Sequence, residues 1–537
     1  MTQETSGVIL TASKADITIC EVFGDLPTGL IPVNGKPIIL FILQQFLDAN
    51  IHNIYIGIDY KYEKIKEIVS LYFKDKLNIF FIDTDKTKGV GNSILTILKN
   101  IKTEKVVINL ADTVIKNLDY SKLNNTIIIS DDFMDENRWA IVEIDKDKNI
   151  INFKDKELSN SGSIYVLSGI YCLNNISIFD DYLNINNNIK VTDLLKYYYS
   201  KDSLLSITET TQWLDFGHID KYYKSKKRLI QSRGFNSLEY DDLLGTITKR
   251  SKNNNKFKEE IKWQLNLPKN LKVLSPRVLD YSLDEESFIT MEFYSYPTLS
   301  EIWLFSDLNE KIYFSIIDKL FKILELFKNN KKDVPVENYL DIYVNKTKNR
   351  VLEITNKDIL ELIRYKNIII NGRKLKSWDI IEKDIFKYTS TLYNTTDNCL
   401  IHGDFCLSNI LYDLRSGIVR LIDPRGIWGD SENGDIKYDI AKLRHSINSD
   451  YDYIVNDLFN VTIKEDNINY NIYDSNKVNI KDYFDNQIVK YFNLNQIKLI
   501  EGLLFLSMIP LHEENTKRQI VMYAKSIELL NDILENK

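Results

Sequence analysis

The first third of the chain alternates strand-like with helix-like segments, and that rhythm leaves few folds open to it. Val8 to Leu10, Ile54 to Ile58, Leu77 to Ile82 and Lys105 to Leu110 are short apolar runs of strand length. Between them Pro37 to Asn50, Tyr62 to Phe73 and Gly91 to Leu98 read as helices. The first opens on a proline, which suits a first turn. Such alternation predicts a parallel sheet with helices on both faces. Strand-like Thr126 to Ser130, Trp139 to Ile144 and Ile164 to Leu173 follow, and Lys221 to Arg233 reads as a closing helix.

The texture then changes, and Arg233 to Asp242 is the predicted joint. Beyond it, strand-like Leu244 to Lys249 and Phe288 to Phe293 bracket a charged amphipathic helix, Asn255 to Leu265. From about Leu308 the pattern is mostly helical, interrupted near Cys399 to Asp423. At 537 residues, more than one domain is expected. The predicted division is residues 1–233, a linker at 234–242, and residues 243–537. The last part splits into a small mixed lobe to about 297 and a larger helical lobe from about 298.

Charge and cysteine content narrow the function classes. Lys+Arg is 69 and Asp+Glu is 76, a net charge of −7, so a general nucleic-acid binder is not expected. The four cysteines show no zinc or CxxC spacing. The segment MTQETSGVIL lacks a basic-then-apolar leader pattern, and Leu499 to Leu511 is interrupted by Glu501. That apolar run reads as a core helix too short to span a bilayer. A cytoplasmic protein with no membrane partner is expected.

Two constellations carry chemistry. In the second half, Ile401 to Leu411 reads IHGDFCLSNIL and Leu421 to Gly426 reads LIDPRG. Phosphoryl transfer needs a carboxylate to orient the attacking hydroxyl and oxygen ligands for Mg²⁺ on the nucleotide phosphates. Asp404 with Asn409 five residues on has the spacing of a kinase catalytic loop, and Asp423 follows where a second metal aspartate is expected. The segment resembles the choline kinase and aminoglycoside phosphotransferase family over roughly Leu244 to Lys537. The resemblance implies a bilobal, protein-kinase-like α+β domain using ATP and Mg²⁺. It implies Asp404 as catalytic base, Asn409 and Asp423 on Mg²⁺, and Asp439 and His402 as structural residues bracing the loop. Lys249 would be the nucleotide lysine, with Glu259 or Glu260 as its helix partner and Glu259 the first choice. Glu292 would lie in the hinge that meets the adenine. Gly245 is the only glycine near the expected phosphate-covering loop.

In the first half, LPTGLIPVNGKPI (Leu26 to Ile38) places a glycine-bearing turn before a helix, a pattern that binds phosphates through backbone N–H groups. Lys88 to Asn92 is a second glycine-rich turn. Leu110-Ala111-Asp112 sets a carboxylate at a strand's C-terminal end, where open α/β sheets bind ligands. Trp213 to Gly217, WLDFG, offers another, Asp215. Together these resemble the sugar-phosphate nucleotidylyltransferase family over residues 1–233, implying a Rossmann-like α/β domain with a mixed sheet. By that resemblance Asp112 and Asp215 hold Mg²⁺, Gly89 and Gly91 meet the base, Lys156 meets the acceptor phosphate and Gly169 lines the acceptor pocket. The family's glycine-rich loop ending in arginine is replaced by Leu10 to Lys14, and its Pro-Lys pair by Pro27-Thr28, so Lys14 or Lys36 is the expected phosphate ligand.

A kinase makes a phosphomonoester and a nucleotidylyltransferase consumes one. The fusion implies a bifunctional bacterial enzyme that activates a small alcohol for capsule or other surface polysaccharide, with CTP the expected NTP. The alcohol is choline, ethanolamine, glycerol, a sugar alcohol or a sugar, and a homo-oligomer is possible. Glu432, Asp435 and Trp428 would suit a cationic alcohol, and a neutral polyol fits them too. The alternatives are an antibiotic-type phosphotransferase with an inactive N-terminal domain, and a non-catalytic nucleotide-binding scaffold.

Overall fold

The computed structural model describes residues 4–59, 61–85, 89–133, 135–158, 162–182, 188–202, 204–229, 236–252, 254–473 and 477–535. The chain forms two compact units, Met1–Ile230 with Phe305–Asp307, and Gln231–Leu304 with Leu308–Lys537. Of the predicted joint, residues 233–235 lie outside the described residues, as does Lys88 of the second glycine-rich turn.

The first unit is built on a nine-stranded sheet. Thr5–Leu10 lies at its centre, parallel to Asn53–Ile58 on one side and to Lys105–Asn109 on the other. Asn78–Asp83 extends the parallel part. Ser163–Leu173 then runs antiparallel to Lys105–Asn109 and carries Thr126–Ser130 and Ala140–Ile144. The sheet is therefore mixed. The central strands are near-continuous Val and Ile because both faces are covered. Val8, Val106, Ile108, Ile127 and Ile129 are almost fully enclosed, each contributing about 1.5–3 kcal/mol of burial. The chain leaves Thr5–Leu10 for one neighbour and returns on the other side at Lys105–Asn109. Ile9 pairs with Asn109, so the crevice between these two strand ends is the switch point where such sheets bind ligands.

The second unit opens with a four-stranded antiparallel sheet. Its order is Asn236–Asp241, Thr246–Lys252, Glu286–Glu292, Val278–Ser282. Asn236–Asp241 falls inside the predicted linker but is a strand, paired residue for residue with Thr246–Lys252. Ser237, Glu239 and Asp241 are exposed and alternate with half-buried Leu238 and Tyr240, a pattern too short and polar to stand out from a linker. Helix Asn255–Asn266 packs on this sheet through Phe257 and Ile261 against Ile289 and Met291. The rest is mainly helical, around Glu310–Lys328, Ile436–Ile447, Leu494–Met508 and Thr516–Glu535. A second four-stranded sheet was not expected there. It joins Arg373–Lys376, Asn367–Ile370, Asn467–Ile472 and Phe459–Lys464. Leu494–His512 is long and apolar enough to cross a membrane by composition, but 67% of its apolar window is buried within the structure.

Candidate functional site

In the second unit, one lysine gathers two carboxylates. Lys249 Nζ donates to both Glu260 oxygens at 2.8 Å and to Asp423 Oδ1 at 3.0 Å. Burial alone would lower the lysine's pKa, but Asp423 and Glu260 outweigh it and hold the ammonium charged. This corrects the choice of Glu259, which accepts from Lys262 Nζ at 2.7 Å instead. Successive helical residues point about 100° apart, so only one of two adjacent glutamates can face the strand. Gly426 explains how Asp423 is brought in. At φ 83° it packs on the helix backbone, and an added Cβ would lie 2.5 Å from the Glu259 carbonyl carbon. Glu292 ends its strand opposite Thr246 and accepts from the Tyr294 hydroxyl at 2.9 Å.

Asp404 lies next to this group in the motif. Asn409 Nδ2 donates to Asp404 Oδ2 at 2.9 Å, and Lys442 Nζ sits 2.9 Å from Oδ1. Burial works against the charge, but Lys442 and Asn409 prevail and keep the carboxyl below its ordinary pKa. The Ile422 N–H donates to the Asn409 carbonyl at 3.0 Å, which sets Asp423 beside Asn409. Asp439 accepts from the N–H groups of His402 and Gly403 at 2.7 and 2.8 Å. The His402 ring packs edge-on against Trp263 and Phe405, and burial pushes its pKa down to about 4. Lys442 was missed by sequence reading, because it lies 38 residues beyond Asp404 and its segment, KYDIAKL, points to Asp439 alone.

In the first unit, the turn after Lys105–Asn109 is held from within. Asn109 Oδ1 accepts from Ala111 N–H at 2.8 Å, while Nδ2 donates to the Thr113 carbonyl and to Tyr120 Oη. Ala111 takes φ 71°, a conformation alanine rarely adopts, and this aims Asp112 out of the strand end. Trp213–Asp215 pairs antiparallel with Thr113–Ile115, with Asp215 opposite Thr113. Phe216 N–H donates to the Asp112 carbonyl at 2.8 Å. The two aspartates thus come from adjacent strand ends. Gly217 lies beneath Asp112, where an added Cβ would be 2.7 Å from Oδ2. His218 Nδ1 is 3.0 Å from Asp215 Oδ2, and its ring packs on Trp139 at 4.2 Å.

Burial, then the neighbouring Asp215 charge, raises the Asp112 pKa to about 7. Burial would lower that of His218, but the Asp215 hydrogen bond and the charges of Asp215 and Asp112 raise it on balance. Two carboxylates that repel each other at a strand end fit a hard divalent cation. Among the described residues no cluster of three or more His, Cys, Asp or Glu suits a metal.

Residues 24–232 match the model of the nucleotidyl transferase family. The N-terminal unit belongs to that family. Asp112 and Asp215 both fall inside the matched segment. The chain is 31% identical over 201 residues to the bifunctional protein GlmU of Methanococcus maripaludis, covering 36% of this chain and 46% of that protein. It is 28% identical over 209 residues to D-glycero-α-D-manno-heptose 1-phosphate guanylyltransferase of Campylobacter jejuni, covering 38% of this chain and 90% of that enzyme. It also aligns with the crystal structure of HddC from Yersinia pseudotuberculosis at 22% identity and a TM-score of 0.33, over 42% of this chain and 99% of that one. The chain therefore spans about half the length of the GlmU relative.

The other expected residues of the nucleotidyl transferase unit fall into three groups. Gly169, at φ 86°, lies at a bulge against the Leu110–Asp112 turn, and its carbonyl accepts from Leu110 N–H at 3.1 Å. Lys156 is exposed at the end of Ile150–Asp155, its N–H bonded to the Trp139 carbonyl at 2.9 Å. Both are thereby tied to the aspartate pair or its aromatic floor. Gly89 and Gly91 pack against the backbone of Ile189, where an added Cβ on either would be 2.7–2.8 Å from the Ile189 carbonyl oxygen. Their lack of a side chain serves that close approach. Lys14 is paired with Asp25 at 2.6 Å, and Lys36 is exposed on the Pro32–Val33/Lys36–Pro37 hairpin. Among the described residues no hydrogen bond or ion pair links Lys36 to either aspartate.

Proposed function

We propose that the chain is a bifunctional enzyme. Its second unit phosphorylates a small alcohol with ATP, and its first unit transfers a nucleotidyl group from an NTP to the product, releasing pyrophosphate. The observation that carries this reading is the Lys249–Glu260–Asp423 ion group in the same unit as a charged, Asn409-bonded Asp404, downstream of a nucleotidyl transferase unit with paired aspartates.

In the kinase step the acceptor hydroxyl proton passes to Asp404 as its oxygen bonds the γ-phosphorus and ADP departs. Asp404 can take that proton because Lys442 and Asn409 hold it ionised. Lys249 would bind the ATP phosphates, and Asn409 with Asp423 would hold Mg²⁺. In the second step a phosphate oxygen of the product attacks the NTP α-phosphorus, and pyrophosphate leaves. Asp112 and Asp215 would hold Mg²⁺, which neutralises the triphosphate when bound. His218 fixes the orientation of Asp215. CTP is the expected NTP, and because one relative is named for guanylyl transfer, GTP belongs in the same test. Surface-polysaccharide synthesis in the cytoplasm is the proposed setting.

The test is a matrix of purified protein, ATP with an alcohol panel assayed for ADP, then each NTP assayed for pyrophosphate. Alcohol-dependent ADP release followed by product-dependent pyrophosphate release is expected. Release of neither would leave a nucleotide-binding scaffold. A second reading, an antibiotic-type phosphotransferase with an inactive first unit, draws on the replaced phosphate loop and the pairing of Lys14 with Asp25. It predicts ADP release with an aminoglycoside and no pyrophosphate.

A further inference from the structure

Three cations meet around one phenol beside Asp404. Lys442 pairs with Asp404 and lies one helical turn beyond Tyr438 on Ile436–Ile447. Arg425 Nη1 donates to Tyr438 Oη at 2.8 Å, and Lys346 Nζ to the same oxygen at 3.3 Å. Arg425 also lies over Gly403, the residue before Asp404, where an added Cβ would be 2.8 Å from the arginine Cβ. Neither Lys346 nor Arg425 makes an ion pair among the described residues. Asp404 is thus the one carboxylate ion-paired within the cluster, and its other oxygen is taken by Asn409.

The surrounding carboxylates are committed elsewhere. Asp439 gives both oxygens to backbone N–H groups. Asp435 is buried against Lys437 and the Tyr343 hydroxyl, and Glu432 accepts from Asn266. So the groups expected to receive a cationic alcohol are used within the fold. The electrostatics agree. Burial raises the Tyr438 pKa, but Lys346, Arg425 and Lys442 more than reverse this, bringing it to about 8. Lys346 is pushed down by burial and by the other two cations.

Resting on the kinase reading, we infer that the alcohol phosphorylated at Asp404 carries its own anionic group, a carboxylate or phosphate, held by Arg425 and Lys346 across Tyr438. An excess of partly buried positive charge beside the base favours an anion and repels choline or ethanolamine. Lys442 is already paired with Asp404 and is not assigned to the acceptor's anion.

The test is calorimetric titration of the full chain, with Mg²⁺ and a non-hydrolysable ATP analogue, using glycerate, glycerol 3-phosphate, glycerol and choline as probes. At least one anionic probe is expected to bind while glycerol and choline do not, and which of the two binds separates carboxylate from phosphate. Lys346→Met and Arg425→Gln, checked for folding by circular dichroism, should each weaken that binding about tenfold or more and leave the ATP analogue's affinity unchanged. The inference is overturned if none of the probes binds, if glycerol or choline binds as tightly as the anions, or if the variants weaken the ATP analogue instead. The kinase reading fails separately, when an anionic probe binds yet the wild-type chain releases ADP from ATP with none of the four.

Discussion

The Asp112 carboxylate rests directly on the backbone of Gly217, so closely that a single methyl group there would come within 2.7 Å of Oδ2. The glycine of WLDFG is therefore an empty place made for the aspartate of another segment. Gly217→Ala is expected to tilt Asp112 away from Asp215 and to weaken apparent Mg²⁺ affinity by about 10–100-fold. Pyrophosphate release measured against Mg²⁺ concentration checks this. An unchanged Mg²⁺ dependence would separate Asp112 from the metal.

Asp112 also sets a pH dependence. Its carboxyl rises from an ordinary 3.8 to about 7 in the fold, so the folded state holds a proton the unfolded chain has released. This contribution to stability is lost as pH rises from about 4 to about 7. Mg²⁺ must displace the same proton. The rise in melting temperature on adding Mg²⁺ should therefore grow between about pH 6 and about pH 8, and Asp112→Asn should abolish that growth. Equal Mg²⁺ shifts at the two pH values would contradict the assignment.

Asp404→Asn should lower ADP formation by about 10²–10⁴-fold, the usual worth of a positioned base. It removes the charge but keeps a side chain that can still meet Asn409, so the melting temperature should move little. Steady-state ADP release and a thermal melt decide it, and full activity in the variant would exclude Asp404 as the base.

The neighbouring glutamates allow a paired test. Glu260→Gln takes a charge from buried Lys249 and should cost about 1–3 kcal/mol in urea unfolding together with most kinase activity. Glu259→Gln touches only a surface pair with Lys262 and should stay within about 0.5 kcal/mol. Equal effects would reject the distinction.

Gly426→Ala forces a side chain onto φ 83° and onto the Glu259 carbonyl carbon. A loss of about 1–3 kcal/mol is expected, with Asp423 displaced from Lys249. Urea unfolding and the KM for ATP report the two parts.

The parallel half of the first sheet was readable because its strands and helices carry unambiguous periods. Tyr62–Phe73 falls where the pattern puts it, as does Thr126–Ser130 in the antiparallel part. Asn236–Asp241 was not readable, since a short polar edge strand resembles a linker. The hairpin Asn367–Ile370/Arg373–Lys376 turns through Asn371-Gly372, a strong local signal overridden by the helical texture around it. At the candidate sites, the residues that motifs single out are Asp112, Asp215, Asp404, Asn409 and Asp423. Those acting from a distance were missed. Asn109 holds the Asp112 turn with its amide, and Lys442 reaches Asp404 from the helix Ile436–Ile447. No spacing rule links residues that meet only after packing. Glu259 against Glu260 was a question of helical phase, which a single sequence leaves open.

One helix, Ile436–Ile447, supplies Asp439 to the loop, Lys442 to Asp404 and Tyr438 to the two outlying cations. This arrangement channels how such a protein can diversify. A substitution on that helix disturbs the loop, Asp404 and the cation cluster together. Lys346 and Arg425 lie outside it and touch it only at a phenol. Under the proposed kinase reading, a library randomised at just these two positions is the shortest route to a different acceptor.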